Sequence, residues 1–188
     1  MARWRPDARE RLERAALELF VEQGFAGTTV PQIAARAGLT TRTFFRHFAD
    51  KREVLFAGEE ELPPLVAQLW ADTPADLEPM AAIEHGLTTV AGTGFEDSVD
   101  YLRTRRSVVL ADDSLREREL RKREILSNAI HDGFVGRGVG EPTAALAAGV
   151  AVTVLDVALG RWLDGQDGRT LVEHVREAVG ALGELLGA

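Results

Sequence analysis

Apolar residues recur along this chain at helical intervals. Ala8, Leu12, Ala15, Ala16, Leu19 and Phe20 form one stripe of an amphipathic helix, which Gly24 stops. Thr29-Val30-Pro31-Gln32 has the form of a capping box, with Thr29 as N-cap and Gln32 at the third helical position. It predicts a short helix to Ala37, ended by Gly38. Thr40 caps a second short helix, about Thr41 to His47. Asp50-Lys51-Arg52-Glu53 opens a fourth, with carboxylates favoured by the helix dipole. That helix can pass Gly58, but Pro63-Pro64 must bend or restart it.

Five further helical stretches are predicted beyond residue 55. Pro74 and Pro79 open one that runs to about Ala91, and another runs from about Glu96 to Leu110. Ser114-Leu115-Arg116-Glu117 reads as a capping box for a helix reaching Phe134, broken by Gly136 and Gly138. Pro142 suits a first helical position, starting a run to about Leu163, and Thr170-Leu171-Val172-Glu173 caps the last helix. No segment shows period-two alternation and no repeat stands out. The expected fold is all-α: a head over residues 1–55, and a helical body over residues 56–188.

Charge sharpens that division. The net charge of -8 argues against a nucleic-acid partner for the chain as a whole. Yet residues 1–55 carry 10 Arg/Lys against 7 Asp/Glu, and residues 56–188 carry 12 against 23. A slightly basic head on an acidic body suits a DNA-binding module joined to a regulatory one. There is no cysteine, which excludes a disulfide framework and a thiolate metal site and fits a cytoplasmic location. The longest apolar run, Leu146 to Leu163, is interrupted by Asp156 and Arg161, so no membrane association is expected.

The informative stretch is TVPQIAARAGLTTRTFFRHFADKREVL, Thr29 to Leu55. Ile33, Ala34 and Ala37 lie on one face of the first short helix. Phe44 and Phe48, four apart, lie on one face of the second. Packing those faces together leaves Thr41, Arg42, Thr43 and Arg46 pointing outward. Short polar and guanidinium side chains near a helix N-terminus suit major-groove readout, with Arg forking onto guanine and Thr meeting a thymine methyl. Lys51 adds charge where backbone N–H groups already favour a phosphate.

The pattern resembles the TetR family of bacterial repressors. The residues that carry the resemblance are Thr29, Ile33-Ala34, Ala37-Gly38-Leu39-Thr40, Phe44-Phe45, His47-Phe48 and Lys51, preceded by Ala15 to Phe20 and Gly24-Phe25. They cover about the first third of the chain. The resemblance implies base contacts at Thr41, Arg42 and Thr43, and phosphate contacts at Thr29, Phe45, His47 and Lys51. One departure stands out: the family usually has tyrosine where this chain has Phe45, so the hydroxyl that reaches a phosphate is missing. Arg46 is the candidate to replace it. The partners implied are a double-stranded DNA operator, a second copy of the chain and a small-molecule effector of unknown identity.

The body carries the dimer and ligand expectations. From Leu171 the apolar positions 171, 175, 178, 182 and 185 step by four and three, a heptad seam. The run from Pro142 is apolar nearly all round, which calls for burial on every side. Leu155, Leu159, Leu171, Val175 and Leu182 are therefore expected at a dimer interface, and the resemblance implies a four-helix bundle built from these two helices. It also implies a ligand pocket among the middle helices, for which Trp70, His85, Tyr101, Arg105, His131 and Trp162 are candidate linings. No cofactor or metal is expected: Glu84 and Asp132 do not sit at ligand spacing from His85 and His131. No nucleophile elbow, phosphate loop or zinc-protease motif occurs, so an enzyme is not expected. A repressor released by its effector is the leading function. A helix-turn-helix protein that binds a partner without binding an operator is the alternative.

Overall fold

The computed structural model describes residues 7–93, 98–165 and 167–187. Among them every regular element is helical. In order they are α1 (Ala8–Gly27), α2 (Val30–Arg36), α3 (Thr41–His47), α4 (Glu53–Phe56), a 3-10 turn (Glu59–Glu61), α5 (Leu62–Asp72), α6 (Pro79–Ala91), α7 (Val99–Leu110), α8 (Asp113–Gly136), α9 (Glu141–Asp164) and α10 (Leu171–Leu186). The all-α expectation holds. The chain divides into two compact units. One contains residues up to Glu60 together with Thr104–Glu119; the other contains Glu61–Arg103 and the residues from Leu120 onward.

In the first unit Leu12, Ala15, Ala16, Leu19 and Phe20 are all buried, as the stripe on α1 requires. Gly24, at φ 78, breaks the helix before its end. The Thr28 hydroxyl then donates to the Gly24 carbonyl at 2.8 Å, which turns the chain into α2. The backbone N–H of Thr29 donates to Gln32 Oε1 at 2.8 Å, half of the predicted capping box. Ile33, Ala37, Phe44 and Phe48 join the α1 stripe in one apolar cluster. Each large side chain buried this way contributes about 1.5–3 kcal/mol. Val108, Val109 and Leu115, from the α7–α8 elbow, belong to the same cluster.

Two details differ from expectation. The fourth helix is only Glu53–Phe56, because Gly58 at φ 90 turns the chain and Pro63 restarts it in α5. No continuous helix runs from Lys51 to Trp70. The cap of α8 is Asp112 rather than Ser114: Asp112 Oδ1 accepts from the N–H groups of Ser114 at 3.0 Å and Leu115 at 3.3 Å. The expected start of α7 at Glu96 lies outside the described residues.

In the second unit α10 packs on α9 and α6, and α6 on α9. The α9 side of this contact is made of small residues, Ala144, Ala147, Ala151 and Ala158, with Val154 and Trp162. Ala82, Ile83, Leu87 and Ala91 answer from α6, and Leu171 and Val175 from α10. Thr170 and Glu173 form the predicted capping box at the start of α10. By length and composition α9 is apolar enough to cross a membrane. Its Asp156 is ion-paired with Arg123 at 3.1 Å, and its alanine face is covered by protein.

Candidate nucleic-acid interface

The helix-turn-helix is built from caps and a glycine. Gly38 adopts φ 65, a left-handed conformation that ends α2 and that a side chain would strain. Two residues later the Thr40 hydroxyl accepts from the Thr43 N–H at 3.1 Å and starts α3. Phe44 and Phe48 are buried with ring centroids 5.5 Å apart, and they anchor one face of α3. The other face is open: Thr41, Arg42, Arg46 and His47 are exposed, and so is Thr29 at the start of α2. Thr43 is half-buried, with its hydroxyl 3.0 Å from that of Thr40. Phe45 is 58% exposed, edge-on to Phe44. A large aromatic ring left in water beside exposed arginines is suited to an apolar contact such as a thymine methyl or a sugar.

Lys51 is placed differently from the open-face residues. Its Nζ donates to the carbonyls of Phe25 at 2.6 Å and Thr28 at 2.8 Å, and lies 4.2 Å from the centre of the Phe25 ring. The ammonium therefore ties the end of α1 to the residues just before α4. Asp50 makes that second anchor, since its Oδ1 accepts from the N–H groups of Arg52 at 2.7 Å and Glu53 at 3.1 Å.

Two arginines that the motif does not single out hold the hairpin in place. Arg11 of α1 donates through Nη2 to the Ala37 carbonyl, at the C-terminus of α2. Arg36 of α2 reaches back to α1, with Nη2 2.7 Å from Glu22 Oε2 and Nη1 3.3 Å from Glu18 Oε2. The bond from Arg36 lowers the Glu22 pKa, and the same pair raises that of Arg36. Glu18 and Glu22, one turn apart on an outer face of α1, were a readable signal for a cationic partner.

Residues 13–57 match the profile of the bacterial regulatory proteins, tetR family. Over these residues the chain is similar to the TetR family. TcmR of Streptomyces glaucescens, an HTH-type transcriptional regulator, is 39% identical over 84 residues, 45% of this chain and 37% of that protein. The regulator SrpR of Pseudomonas putida is 47% identical over 51 residues, 27% of this chain and 24% of that protein. These matches thus span well under half the length of the curated relatives. A crystal structure of FadR from Thermus thermophilus, a TetR-family repressor in complex with lauroyl-CoA, superposes with a TM-score of 0.56 at 28% identity. That match covers 93% of this chain and 92% of that one.

The body residues named from sequence are not brought together as one group. Trp70 packs edge-on to Phe134, with ring centroids 4.6 Å apart, and the Arg137 guanidinium lies 5.1 Å from its ring. Trp162 is buried in the α6–α9–α10 cluster. His85 is exposed on α6, and Tyr101 is exposed on α7. His131 bridges α8 and α9, with Nε2 3.1 Å from Glu141 and Nδ1 3.2 Å from Asp132. Its pKa is raised, first by the bond with Asp132. Arg105 lies in the first unit, where Nε donates to the Leu55 carbonyl at 2.7 Å and Nη2 pairs with Glu119 at 2.8 Å. Of the seam residues, Leu171 and Val175 are fully buried against α6 and α9 of the same chain, whereas Leu155, Leu159 and Leu182 are half-buried.

Proposed function

We propose that this protein is a cytoplasmic transcriptional regulator that binds a DNA operator as a homodimer and is released from it by a small molecule. The observation that carries this reading is α3, a helix seated by buried Phe44 and Phe48 with Thr41, Arg42 and Arg46 exposed on its open side. Thr41, Arg42 and Thr43 are assigned to base edges. Thr29, Phe45, Arg46, His47 and Lys51 are assigned to the sugar-phosphate backbone, with Lys51 acting there through the N-termini it organises. The regulator names of the curated relatives support this reading. A ligand in the helical body is supported by the lauroyl-CoA complex of the Thermus FadR.

The dimer is assigned to α9 and α10. Each keeps an apolar surface after its own chain has packed: Leu146 is 72% exposed, Val157 46% and Leu185 82%. Two heads held this way must match half-sites about 34–36 Å apart or a multiple. A ligand that favours another spacing weakens DNA binding. By linkage, DNA weakens ligand binding by the same factor, about 5–150-fold.

The test is a gel shift on the DNA upstream of the protein's own gene, over a salt series, with and without ligands found by thermal shift. Sequence-specific, salt-sensitive binding that a ligand relieves is expected. Absence of binding to any DNA would favour a helix-turn-helix protein that recognises a partner instead. Pocket ligands that leave operator affinity unchanged would remove effector release from the reading.

A further inference from the structure

Two arginines converge on one ring in the first unit. Phe56, the last residue of α4, is buried, and the guanidinium carbons of Arg105 and Arg118 lie 4.9 Å and 5.3 Å from its centre. Arg118 also pairs with Glu59, which is only 5% exposed, and lies 3.5 Å from Glu53. Arg105 adds its bonds to the Leu55 carbonyl and to Glu119. Arg105 sits in the middle of α7 and Arg118 near the start of α8. The Arg105–Glu119 pair braces the α7–α8 elbow itself, and the other interactions fasten that elbow to the segment Glu53–Glu59.

We infer that Arg105 and Arg118 are positioning residues of the DNA-reading head, holding the elbow against the apolar cluster that seats α3. Three observations lead there. The elbow supplies Val108, Val109 and Leu115 to the cluster that contains Ile33, Phe44 and Phe48. The family profile ends at residue 57, so residues 104–119 complete the head from a distant part of the chain. Finally, a buried carboxylate tolerates the loss of its cation poorly, and far worse than replacement of the whole pair. Cation–π contact on Phe56 adds a geometric constraint that a lone ion pair lacks. Neither guanidinium is offered to DNA: both are engaged inside the unit.

The inference rests on the DNA-binding reading for its functional half only, and the experiment separates the two. The full chain is compared with Arg118→Gln, Arg118→Lys, the pair Glu59→Gln with Arg118→Met, and Arg121→Gln as a control on the same helix. Hydrogen exchange without DNA reports the amides of Phe44 and Phe48, which are bonded to Thr40 and Phe44 carbonyls. Arg118→Gln is expected to speed their exchange at least tenfold while α9 amides keep wild-type rates. Operator affinity is expected to fall about tenfold at every salt concentration, with the salt slope unchanged. Arg118→Lys should recover part of both effects, the paired replacement most of them, and Arg121→Gln should match wild type. Wild-type exchange in Arg118→Gln would overturn the inference. So would a salt slope lower by about one, the mark of a lost phosphate contact. If Arg118→Gln does not fold, the paired replacement decides: wild-type exchange supports the inference and failure to fold overturns it. If wild type binds no DNA, the exchange data still decide the positioning role, and only the functional proposal fails.

Discussion

The indole of Trp70 lies so close to Gly133 that a Cβ on Gly133 would fall 1.8 Å from the indole Nε1. This glycine is held by contact and not by backbone geometry, since it sits inside α8 without a positive φ. Gly133→Ala should therefore destabilise the second unit by about 1–3 kcal/mol or more, because the ring must leave its place against Phe134. Alanine otherwise favours a helix by about 1 kcal/mol over glycine, so the sign itself is diagnostic. Combining Gly133→Ala with Trp70→Leu should recover much of the loss. Denaturant midpoints of the three variants check this, and a stabilised Gly133→Ala would contradict the contact.

Arg42 and Lys51 should fail in different ways. Arg42→Ala is expected to leave the denaturant midpoint unchanged and relax preference at one base pair, about 1–3 kcal/mol of discrimination. Lys51→Met removes the donor to the Phe25 and Thr28 carbonyls. It should cost about 1–3 kcal/mol of stability and weaken binding to all sequences alike. Unfolding curves beside binding to a site and its single-base variants separate the two outcomes. A Lys51→Met protein of full stability would place the lysine outside the fold's support.

The proposed dimer gives a contrast between buried and surface positions of α9 and α10. Leu146→Asp with Val157→Asp should yield a folded monomer, because both side chains are exposed in the chain itself. Val175→Asp should instead unfold the second unit, since Val175 is fully buried. Light scattering with circular dichroism reads both. A dimer that survives the double surface change would move the interface elsewhere.

Two side chains set opposite pH trends. Glu173 has its pKa lowered from the ordinary 4.5, first by the Thr170 N–H, so its contribution is present above about that value. It is lost as the pH falls through the lowered pKa. His131 has its pKa raised from 6.5, so its contribution is present below that value and lost as the pH rises through the raised pKa. Glu173→Gln should therefore flatten the melting temperature below about pH 4.5, and His131→Gln should flatten it just above 6.5. Melting curves parallel to wild type across those windows would contradict the assignments.

Local signals carried most of the head. Thr29, Gly38, Thr40 and the Phe44–Phe48 spacing act within a few residues, so α2, the turn and α3 were legible with their open face. The elbow was not. Arg105 meets Leu55 from 50 positions away, and no periodicity reports a partner at that distance. The same limit explains Leu171 and Val175. A stripe shows that a face is apolar, but not whether α6 of the same chain or a second subunit covers it. In the body, residue type alone marks His85, Tyr101 and Trp162, and their helices set them on surfaces or in packing. Asp112 displaced Ser114 as the cap of α8 because its carboxylate reaches two N–H groups at once.

The inward use of arginine in the head has a consequence for selectivity. Arg11, Arg36, Arg52, Arg105 and Arg118 are each engaged by a carbonyl or carboxylate of the same unit, and Lys51 by two carbonyls. Arg42 and Arg46 stand exposed on α3, and Arg14 on α1. Counterion release scales with the phosphates a protein neutralises, at about 0.9 per contact in the logarithmic slope. Among the described residues, a head with few cations turned outward gains little from bulk DNA. On the proposed reading its hold on random sequence is weak, and discrimination survives in a crowded, salty nucleoid where a more basic head would be spread along the chromosome.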